Sequence, residues 1–264
     1  MGRTIFIGDV HGCGDELADL LNMVAPGSDG SRVVFVGDLV DKGPRSLDTL
    51  RLARWVVENH SGSVVVAGNH EEKALRMFKS GKLDQFVDGH EHRAWVHDAT
   101  DEDWAFIESM PLTWHDPEAN IRVVHGGIFP ALLEKHPDAF DKIEARGAAW
   151  HKGGGKVMNR ARRMLRVRFV DQESGDMLAL GENKPGDPFW ADTYDGSQGL
   201  VIFGHSPFLN GKARVFQHAI GIDTGCVFGG KLTALVIDSE DKDERGHFIQ
   251  VDARRQHAIP LKED

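Results

Sequence analysis

Several short apolar runs in this chain end abruptly in a polar loop that carries glycine. Three of these runs are rich in β-branched residues and too short for helices, namely Thr4–Ile7, Arg32–Val36 and Ser63–Val66. Amphipathic helical patterns separate them, over residues 15–24 and 47–57, and Ser46 is a candidate N-cap for the second. This alternation predicts an α/β fold with parallel strands, whose polar loops gather beyond the carboxyl ends of the strands.

The remaining sequence mixes helical and β patterns, and we expect residues 1–264 to form one domain. A helical excursion is predicted over about 84–110, and further helix over about 130–150. Later β patterns occupy Ile121–Val124, Leu200–Phe203, Arg214–His218, Leu232–Ile237 and Phe248–Val251. No internal repeat or low-complexity linker divides the chain.

A basic segment covers residues 152–168 and contains no acidic residue. Its cations are Lys152, Lys156, Arg160, Arg162, Arg163, Arg166 and Arg168. Such a run is typical of a solvated helix face, but here it interrupts a chain with a net charge of −10, so a surface that faces an anion is an equal alternative. The acidic balance of the whole chain argues against non-specific binding of nucleic acid.

Cysteine content and hydropathy predict a cytoplasmic protein without a membrane partner. Two cysteines, Cys13 and Cys226, are too few for a disulfide framework and fit a reducing compartment. No apolar stretch approaches the roughly 20 residues that a bilayer-spanning helix needs. Because a strand pattern begins at Thr4, we expect no signal peptide ahead of it.

Five polar loops carry side chains that suit metal ions. They are Gly8-Asp9-Val10-His11-Gly12, Gly37-Asp38-Leu39-Val40-Asp41-Lys42-Gly43, Gly68-Asn69-His70-Glu71, His125-Gly126-Gly127 and Gly204-His205-Ser206. Singly, each loop is more typical of a salt bridge or a structural histidine. Together they offer oxygen and nitrogen ligands without thiolate, namely Asp9, His11, Asp38, Asn69, His125 and His205. That set suits two hard or borderline divalent ions, and Asp38 is the candidate bridge between them.

In this order, the five loops resemble the calcineurin-like metallophosphoesterases, and within them the phosphoprotein-phosphatase branch. The matching blocks, with a closing run at Ile222–Leu235, extend from Gly8 to Leu235. The resemblance implies two mixed β-sheets in a sandwich flanked by helices, with a dinuclear metal site at the carboxyl edge of the strands. Mn²⁺ is the expected metal, with Fe, Zn, Co, Ni and Mg as alternatives.

The resemblance also implies a role for each matched residue. The first ion would be bound by Asp9, His11 and Asp38, and the second by Asp38, Asn69, His125 and His205. A hydroxide between the ions would attack phosphorus in line, while His70 would protonate the leaving oxygen and Asp41 would orient His70 and keep it charged. Lys42 departs from the family, which usually has Arg there; a lysine offers a point charge instead of a planar two-point grip.

The second half of the chain narrows the expected substrate. The segments Leu165–Asp171, Pro188–Ala191, Phe203–His205 and Ile222–Leu235 resemble bacterial symmetrical diadenosine tetraphosphate hydrolases. The first half, with Asp41 and Glu71, is more similar to protein phosphatases, so the whole chain resembles the ApaH-like phosphatases. We expect symmetrical cleavage of diadenosine tetraphosphate into two ADP. The alternatives are a Ser/Thr (or Tyr) phosphoprotein phosphatase and, more remotely, a metal-binding interaction protein without turnover.

Cationic side chains near the metals are expected to hold the phosphates of the substrate. The candidates are Lys42, Arg163, Arg166 and Arg168. Trp190 or Phe228 would either stack on a base or pack in the core. The expected partner is a dinucleoside polyphosphate or a phosphoprotein, and a 5'-capped RNA end is a further candidate.

Overall fold

A computed structural model describes residues 2–27, 30–178, 181–238 and 246–260. Its strands are β1 (Thr4–Ile7), β2 (Arg32–Phe35), β3 (Val64–Val65), β4 (Thr113–Asp116), β5 (Ile121–Val124), β6 (Phe169–Val170), β7 (Met177–Leu178), β8 (Leu200–Phe203), β9 (Arg214–Val215), β10 (Ala219–Gly221), β11 (Lys231–Ile237) and β12 (His247–Asp252). Its α-helices are α1 (Gly14–Val24), α2 (Ser46–Asn59), α3 (Asn69–Lys79), α4 (Leu83–Val87), α5 (Trp95–Asp98), α6 (Asp101–Ser109), α7 (Pro130–Lys135), α8 (Ala139–Arg146), α9 (Gly155–Ala161) and α10 (Trp190–Thr193). Short 3-10 segments lie at Glu91–Arg93, Gly147–His151, Arg162–Arg166 and Cys226–Phe228.

The strands form two mixed five-stranded sheets and one small hairpin. The first sheet has the order β12-β11-β1-β2-β3, with β1, β2 and β3 parallel and β11 antiparallel to β1. The second has the order β4-β5-β8-β10-β9, with β5, β8 and β10 parallel. The hairpin pairs β6 with β7. Because each sheet has a parallel centre, the carboxyl ends of its central strands lie along one edge.

Successive side chains of a strand point to opposite faces of its sheet, and the two faces contribute to two separate apolar clusters. In β1, Phe6 packs in the cluster shared by the two sheets, whereas Ile5 and Ile7 pack on the helix side. The cluster between the sheets consists of Phe6, Val34, Val36, Val66, Ile121, Val123, Ile202, Ile220, Ile222 and Leu235. The two-sheet sandwich that the family resemblance implied is therefore confirmed.

The helices cover the outer faces of the sandwich with their apolar sides. Helix α1 buries Leu17, Leu20 and Val24 and packs on β11, β12 and α2. Residues 83–109 hold α4, α5 and α6; α4 packs beside α3, and α6 packs beside α3 and α2. In the described residues, no helix combines the length and the apolar character that crossing a membrane requires.

Three local predictions were wrong, and each has a physical reason. Ser46 does not cap α2 from outside, because the helix already includes it; its Oγ instead accepts a hydrogen bond from the Asp41 amide at 3.0 Å. Strand β9 ends at Val215, well before His218. Strands β4, β6, β7 and β10 were missed, because β4 is polar in sequence and the other three have only two or three residues.

Candidate active site

The five glycine-bearing loops meet at one edge of the sandwich. Four of the expected ligands follow strands of the first sheet and two follow strands of the second. In chain order, the strands and the ligands that follow them are β1 with Asp9 and His11, β2 with Asp38, β3 with Asn69, β5 with His125, and β8 with His205. The carboxyl ends of parallel strands thus bring distant segments together, as is usual for α/β sites.

Asp38 lies at the centre of this cluster. Its Oδ2 is 3.4 Å from His11 Nε2, 3.3 Å from His125 Nε2 and 4.0 Å from His70 Nε2. Two groups of ligand atoms, each compact enough to surround an ion, share this carboxylate: His11, Asp38 and His70, and Asp38, His125 and His205. Asn69 Oδ1 joins the second group at 3.0 Å from His125 Nε2. A carboxylate common to two adjoining groups is the geometry of a bridging ligand.

Backbone carbonyl groups orient two of the imidazoles. His11 Nδ1 donates to the Val40 carbonyl at 2.9 Å, and His125 Nδ1 donates to the Val36 carbonyl at 2.9 Å. These bonds fix the tautomer, so that each Nε2 presents its lone pair to the cluster. The Lys42 ammonium already lies 3.1 Å from His11 Nε2, which shows that this position accepts a positive charge.

Asp9 is a buried carboxylate beside this cluster. Its Oδ2 accepts a hydrogen bond from the His205 amide at 3.0 Å. Its Oδ1 is buried and has no hydrogen-bond partner among the described residues. Burial and the carboxylates of Asp223 and Asp38 raise the pKa of Asp9 well above its ordinary value. A nearby divalent cation would satisfy this oxygen and reverse the shift, so Asp9 fits a metal ligand.

The charge states of Asp38, His11 and His205 also suit metal binding. Burial raises the pKa of Asp38, but His125 and His70 more than offset it, so the pKa lies well below the usual value and the carboxylate is ionised. Burial and Lys42 hold the pKa of His11 well below its ordinary value. Burial and His125 do the same for His205. His125 differs, because burial lowers its pKa but the charge of Asp38 and the hydrogen bond to it outweigh burial and raise the pKa above its ordinary value. A divalent cation beside Asp38 would favour the neutral imidazole that a metal ligand must be.

The loops hold these side chains in strained backbone conformations. Left-handed φ angles occur at five non-glycine residues of the site, namely His11 (46°), Asp38 (51°), Asp41 (67°), Lys42 (67°) and His205 (65°). Glycine allows the loops to approach closely: a Cβ at Gly204 would lie 2.0 Å from Asp9 Oδ1, and one at Gly68 would lie 2.1 Å from Asp38 Oδ1. Such strain clusters where function needs a fixed geometry.

Next to the cluster, the partly buried His70 pairs with the fully buried Asp41. His70 Nδ1 lies 2.8 Å from Asp41 Oδ2, which leaves Nε2 on the side of Asp38. Trp95 Nε1 donates to Asp41 Oδ1 at 2.8 Å, and Arg93 Nε donates to Asp41 Oδ2 at 3.3 Å. Burial raises the pKa of Asp41, but the bonds from His70 and Trp95 and the charge of Arg93 outweigh it and lower the pKa below its ordinary value.

Trp95 and Arg93 were missed by the sequence analysis. Both lie in the helical segment 83–98 that no motif marks, and both are almost fully buried, at 7% and 9% exposure. Asp223 was also missed as a site residue, although it lies in the closing run. Only the unusual burial of an arginine would have given a signal, and burial is not readable from this polar stretch.

Glu71 ties the loop after β2 to the start of α3. Its Oε2 accepts from the amides of Asp38 at 2.9 Å and Gly68 at 3.0 Å, and its Oε1 accepts from those of Leu39 at 2.8 Å and Val40 at 3.2 Å. The side chain is 1% exposed. It therefore supports the backbone that presents Asp38 and Asp41.

Glu71→Gln should destabilise the fold by about 1–3 kcal/mol, because the amide nitrogen of glutamine cannot accept a hydrogen bond and two buried N–H groups lose their partner. Urea denaturation of both proteins measures the change. Glu58→Gln, at an exposed glutamate of α2, is the matched control. An unchanged unfolding midpoint for Glu71→Gln would contradict the view that the Glu71 carboxylate stabilises the loop after β2.

Three of the four expected phosphate-binding residues lie beside the cluster, and the fourth does not. A cleft of about 680 Å³ adjoins the cluster. It is lined by three of the expected ligands, Asp38, Asn69 and His205, together with Lys42, Arg93, Arg166, Arg168, Phe228 and Ile259. Arg163 does not line this cleft; it pairs with Asp176 Oδ1 at 2.8 Å and with the Met177 carbonyl. Trp190 is 1% exposed and packs in the core, so it is not available for stacking on a base, whereas Phe228 is half-buried at the cleft.

The chain is similar to known phosphoesterases over most of its length. The calcineurin-like phosphoesterase family matches residues 2–230. A bis(5'-nucleosyl)-tetraphosphatase PrpE of the asymmetrical type from Halalkalibacterium halodurans is 34% identical over 251 residues, covering 87% of each chain. A symmetrical bis(5'-nucleosyl)-tetraphosphatase from Janthinobacterium sp. (strain Marseille) is 28% identical over 268 residues, covering 88% of this chain and 92% of the relative.

Solved structures share the fold. One described as a diadenosine tetraphosphatase superposes with a TM-score of 0.65 at 26% identity, covering 96% of this chain and 94% of that one. A protein serine/threonine phosphatase from Saccharomyces cerevisiae superposes with a TM-score of 0.62 at 14% identity, covering 97% and 81%, which shows a common fold alone. With its shared carboxylate and ordered loops, the chain belongs to the calcineurin-like phosphoesterases, hydrolases that use a dinuclear site for divalent metal ions.

Proposed function

We propose that this protein hydrolyses dinucleoside tetraphosphates with the help of two divalent ions, Mn²⁺ being the first choice. The observation that carries the proposal is the carboxylate of Asp38, which is common to both groups of ligand atoms. Asp9, His11 and Asp38 would hold one ion, and Asp38, Asn69, His125 and His205 the other. When bound, the ions supply positive charge for the phosphoryl group and lower the pKa of water.

The protein's own groups position the substrate and move a proton. His70 Nε2 faces Asp38 while its Nδ1 is held by Asp41, so the imidazole is placed to protonate the leaving oxygen. Lys42, Arg166 and Arg168 line the cleft and would neutralise the polyphosphate. Arg166 is also bonded to Glu72 at 2.7 Å, which fixes its direction.

Arg93 supports the proposal from the helical segment. It lines the cleft, and its Cζ lies 4.7 Å from the centre of the Phe86 ring. A rigid guanidinium at this place can compensate for Lys42, where the family usually has Arg. We also propose a cytoplasmic location, because the two cysteines are free and buried, as is usual in a reducing compartment.

The finer proposal is symmetrical cleavage, which the closing run Ile222–Leu235 favours. Relatives named for asymmetrical and for symmetrical cleavage both match this chain, so the products decide. We would incubate the Mn²⁺-loaded protein with diadenosine tetraphosphate and separate the nucleotides. Two ADP are expected, whereas ATP with AMP would contradict symmetrical cleavage.

A phosphoprotein phosphatase is the second candidate, because Asp41 and Glu71 are both present in the first half. The same experiment with phosphoserine and phosphotyrosine peptides distinguishes the two. Turnover of peptides without turnover of the dinucleotide would favour this candidate and overturn the first.

Trp95→Phe keeps an aromatic side chain at this position but removes the indole N–H that donates to Asp41. Because Asp41 loses a charge-assisted hydrogen bond, kcat should fall about tenfold, equivalent to about 1.4 kcal/mol. The loss should be larger for phenyl phosphate than for p-nitrophenyl phosphate, since only the former leaving group needs a strong acid. Trp104→Phe is the control, because that ring stacks on Trp95 without reaching Asp41. Equal losses on both substrates would contradict a role for Trp95 in positioning His70.

A further inference from the structure

A second cavity adjoins the metal cleft on the far side of Lys42. Its volume is about 540 Å³, within the ~300–1,000 Å³ usual for small-ligand sites. The start of α2, the segment 91–98 and His257 form its walls. It shares Lys42 and His92 with the metal cleft, so the two spaces meet at these side chains.

The second cavity differs from the metal cleft in charge. Three carboxylates line it, Asp48, Glu91 and Asp98. Arg45 also lines it, but its guanidinium is already paired with Asp48 and Asp15. The three cleft arginines do not reach this cavity. Acidic walls repel a chain of phosphates, whereas they accept hydrogen bonds from hydroxyl and amino groups.

Flat rings complete the lining. His92, His257 and Trp95 border the cavity, and Trp95 is fixed by its bond to Asp41. Burial and the charge of Arg93 lower the pKa of His92, so its imidazole is neutral at neutral pH. Neutral rings beside carboxylate acceptors match the face and the edge of a nucleoside.

We propose that this second cavity binds one nucleoside of the substrate, with Lys42 at its entrance contacting the adjoining phosphate and the remaining phosphates lying in the arginine-lined cleft. The inference rests on the proposed hydrolysis of dinucleoside tetraphosphates. It adds that an uncharged nucleoside, and not a free phosphate end, occupies the space between α2 and the segment 91–98. A substrate with an organic group on both ends is then preferred over one with a bare terminal phosphate.

Adenosine itself is the probe for this site. We would measure binding of labelled adenosine to the full-length, Mn²⁺-loaded protein by equilibrium dialysis. Ala94→Trp places a bulky ring at an exposed position of the cavity wall, and should weaken adenosine binding at least about tenfold, or about 1.4 kcal/mol. The double variant Glu91→Gln, Asp98→Asn removes two negative charges and replaces one acceptor oxygen of each side chain by an NH2 donor, without adding bulk, and should weaken binding in the same direction.

Ser80→Trp is the matched control, because it fills a separate cavity of about 300 Å³ that shares no lining residue with the metal cleft. It should bind adenosine like the unmodified protein. Unchanged binding in both Ala94→Trp and the double variant would overturn the inference. Hydrolysis of diadenosine tetraphosphate is measured separately: an unmodified protein that binds adenosine in this way but cleaves no dinucleotide would overturn the proposed function and leave the nucleoside site supported.

Discussion

Asp38→Ala should lose both metal ions, and kcat should fall at least about 10³-fold at the same time. Two bound ions supply several kcal/mol of charge stabilisation in the transition state, and about 1.4 kcal/mol corresponds to a tenfold change in rate. The carboxylate lies within 3.4 Å of both His11 Nε2 and His125 Nε2, so its removal affects both groups of ligands. Elemental analysis of the dialysed protein and turnover of p-nitrophenyl phosphate measure the two effects.

Asp84→Ala is the matched control for this substitution. Its side chain is fully exposed on α4, and its removal should leave metal content and turnover unchanged. Circular dichroism and the unfolding midpoint confirm that Asp38→Ala still folds. A folded Asp38→Ala protein that keeps two ions would refute the shared ligand.

His70→Asn should reduce kcat by about 10²–10⁴ for substrates with a poor leaving group, the range typical of general acid catalysis. The Nδ1 of His70 is held by Asp41, so the Nε2 alone faces the reacting group, and asparagine offers no equivalent proton donor. Metal content should stay close to that of the unmodified protein, because the expected ligands are other residues. Parallel kinetics with phenyl and p-nitrophenyl phosphate measure the dependence on the leaving group.

His97→Asn is the control for this second prediction. That imidazole is about half-exposed on α5 and lies 3.9 Å from an exposed Asp84 carboxylate. It should turn over both substrates normally. If His70→Asn lost metal, or lost equal activity on both substrates, His70 would be a ligand or a structural residue instead of the acid.

The sequence anticipates that the expected ligands lie close together, because each of them follows a short apolar run within four residues. In β1, β5 and β8 the predicted strand bounds agree with the structure residue for residue, and Asp9, His125 and His205 lie one or two positions beyond the ends. A strand fixes the direction of the next residues, so local sequence is sufficient there.

Contacts between distant segments are not readable in the same way. Arg163 and Arg166 belong to one basic run, yet Arg163 pairs with Asp176 of the chain beyond it, and Arg166 points to Glu72 on α3. The bond from Trp95 to Asp41 joins residues 54 positions apart. Such pairings depend on how the helices pack on the sandwich, which periodicity does not specify.

The expected ligands come from both sheets, four from the first and two from the second. An ion held by Asp38 and His125 is therefore a cross-link that exists only after the two halves have docked. Binding of the ion would then stabilise the folded protein by mass action, as any ligand that binds only the native state does. If the ion were scarce in a cell, the protein would unfold and be degraded more readily as well as lose its activity. Enzyme turnover and resistance to proteolysis would therefore both depend on the supply of the same ion.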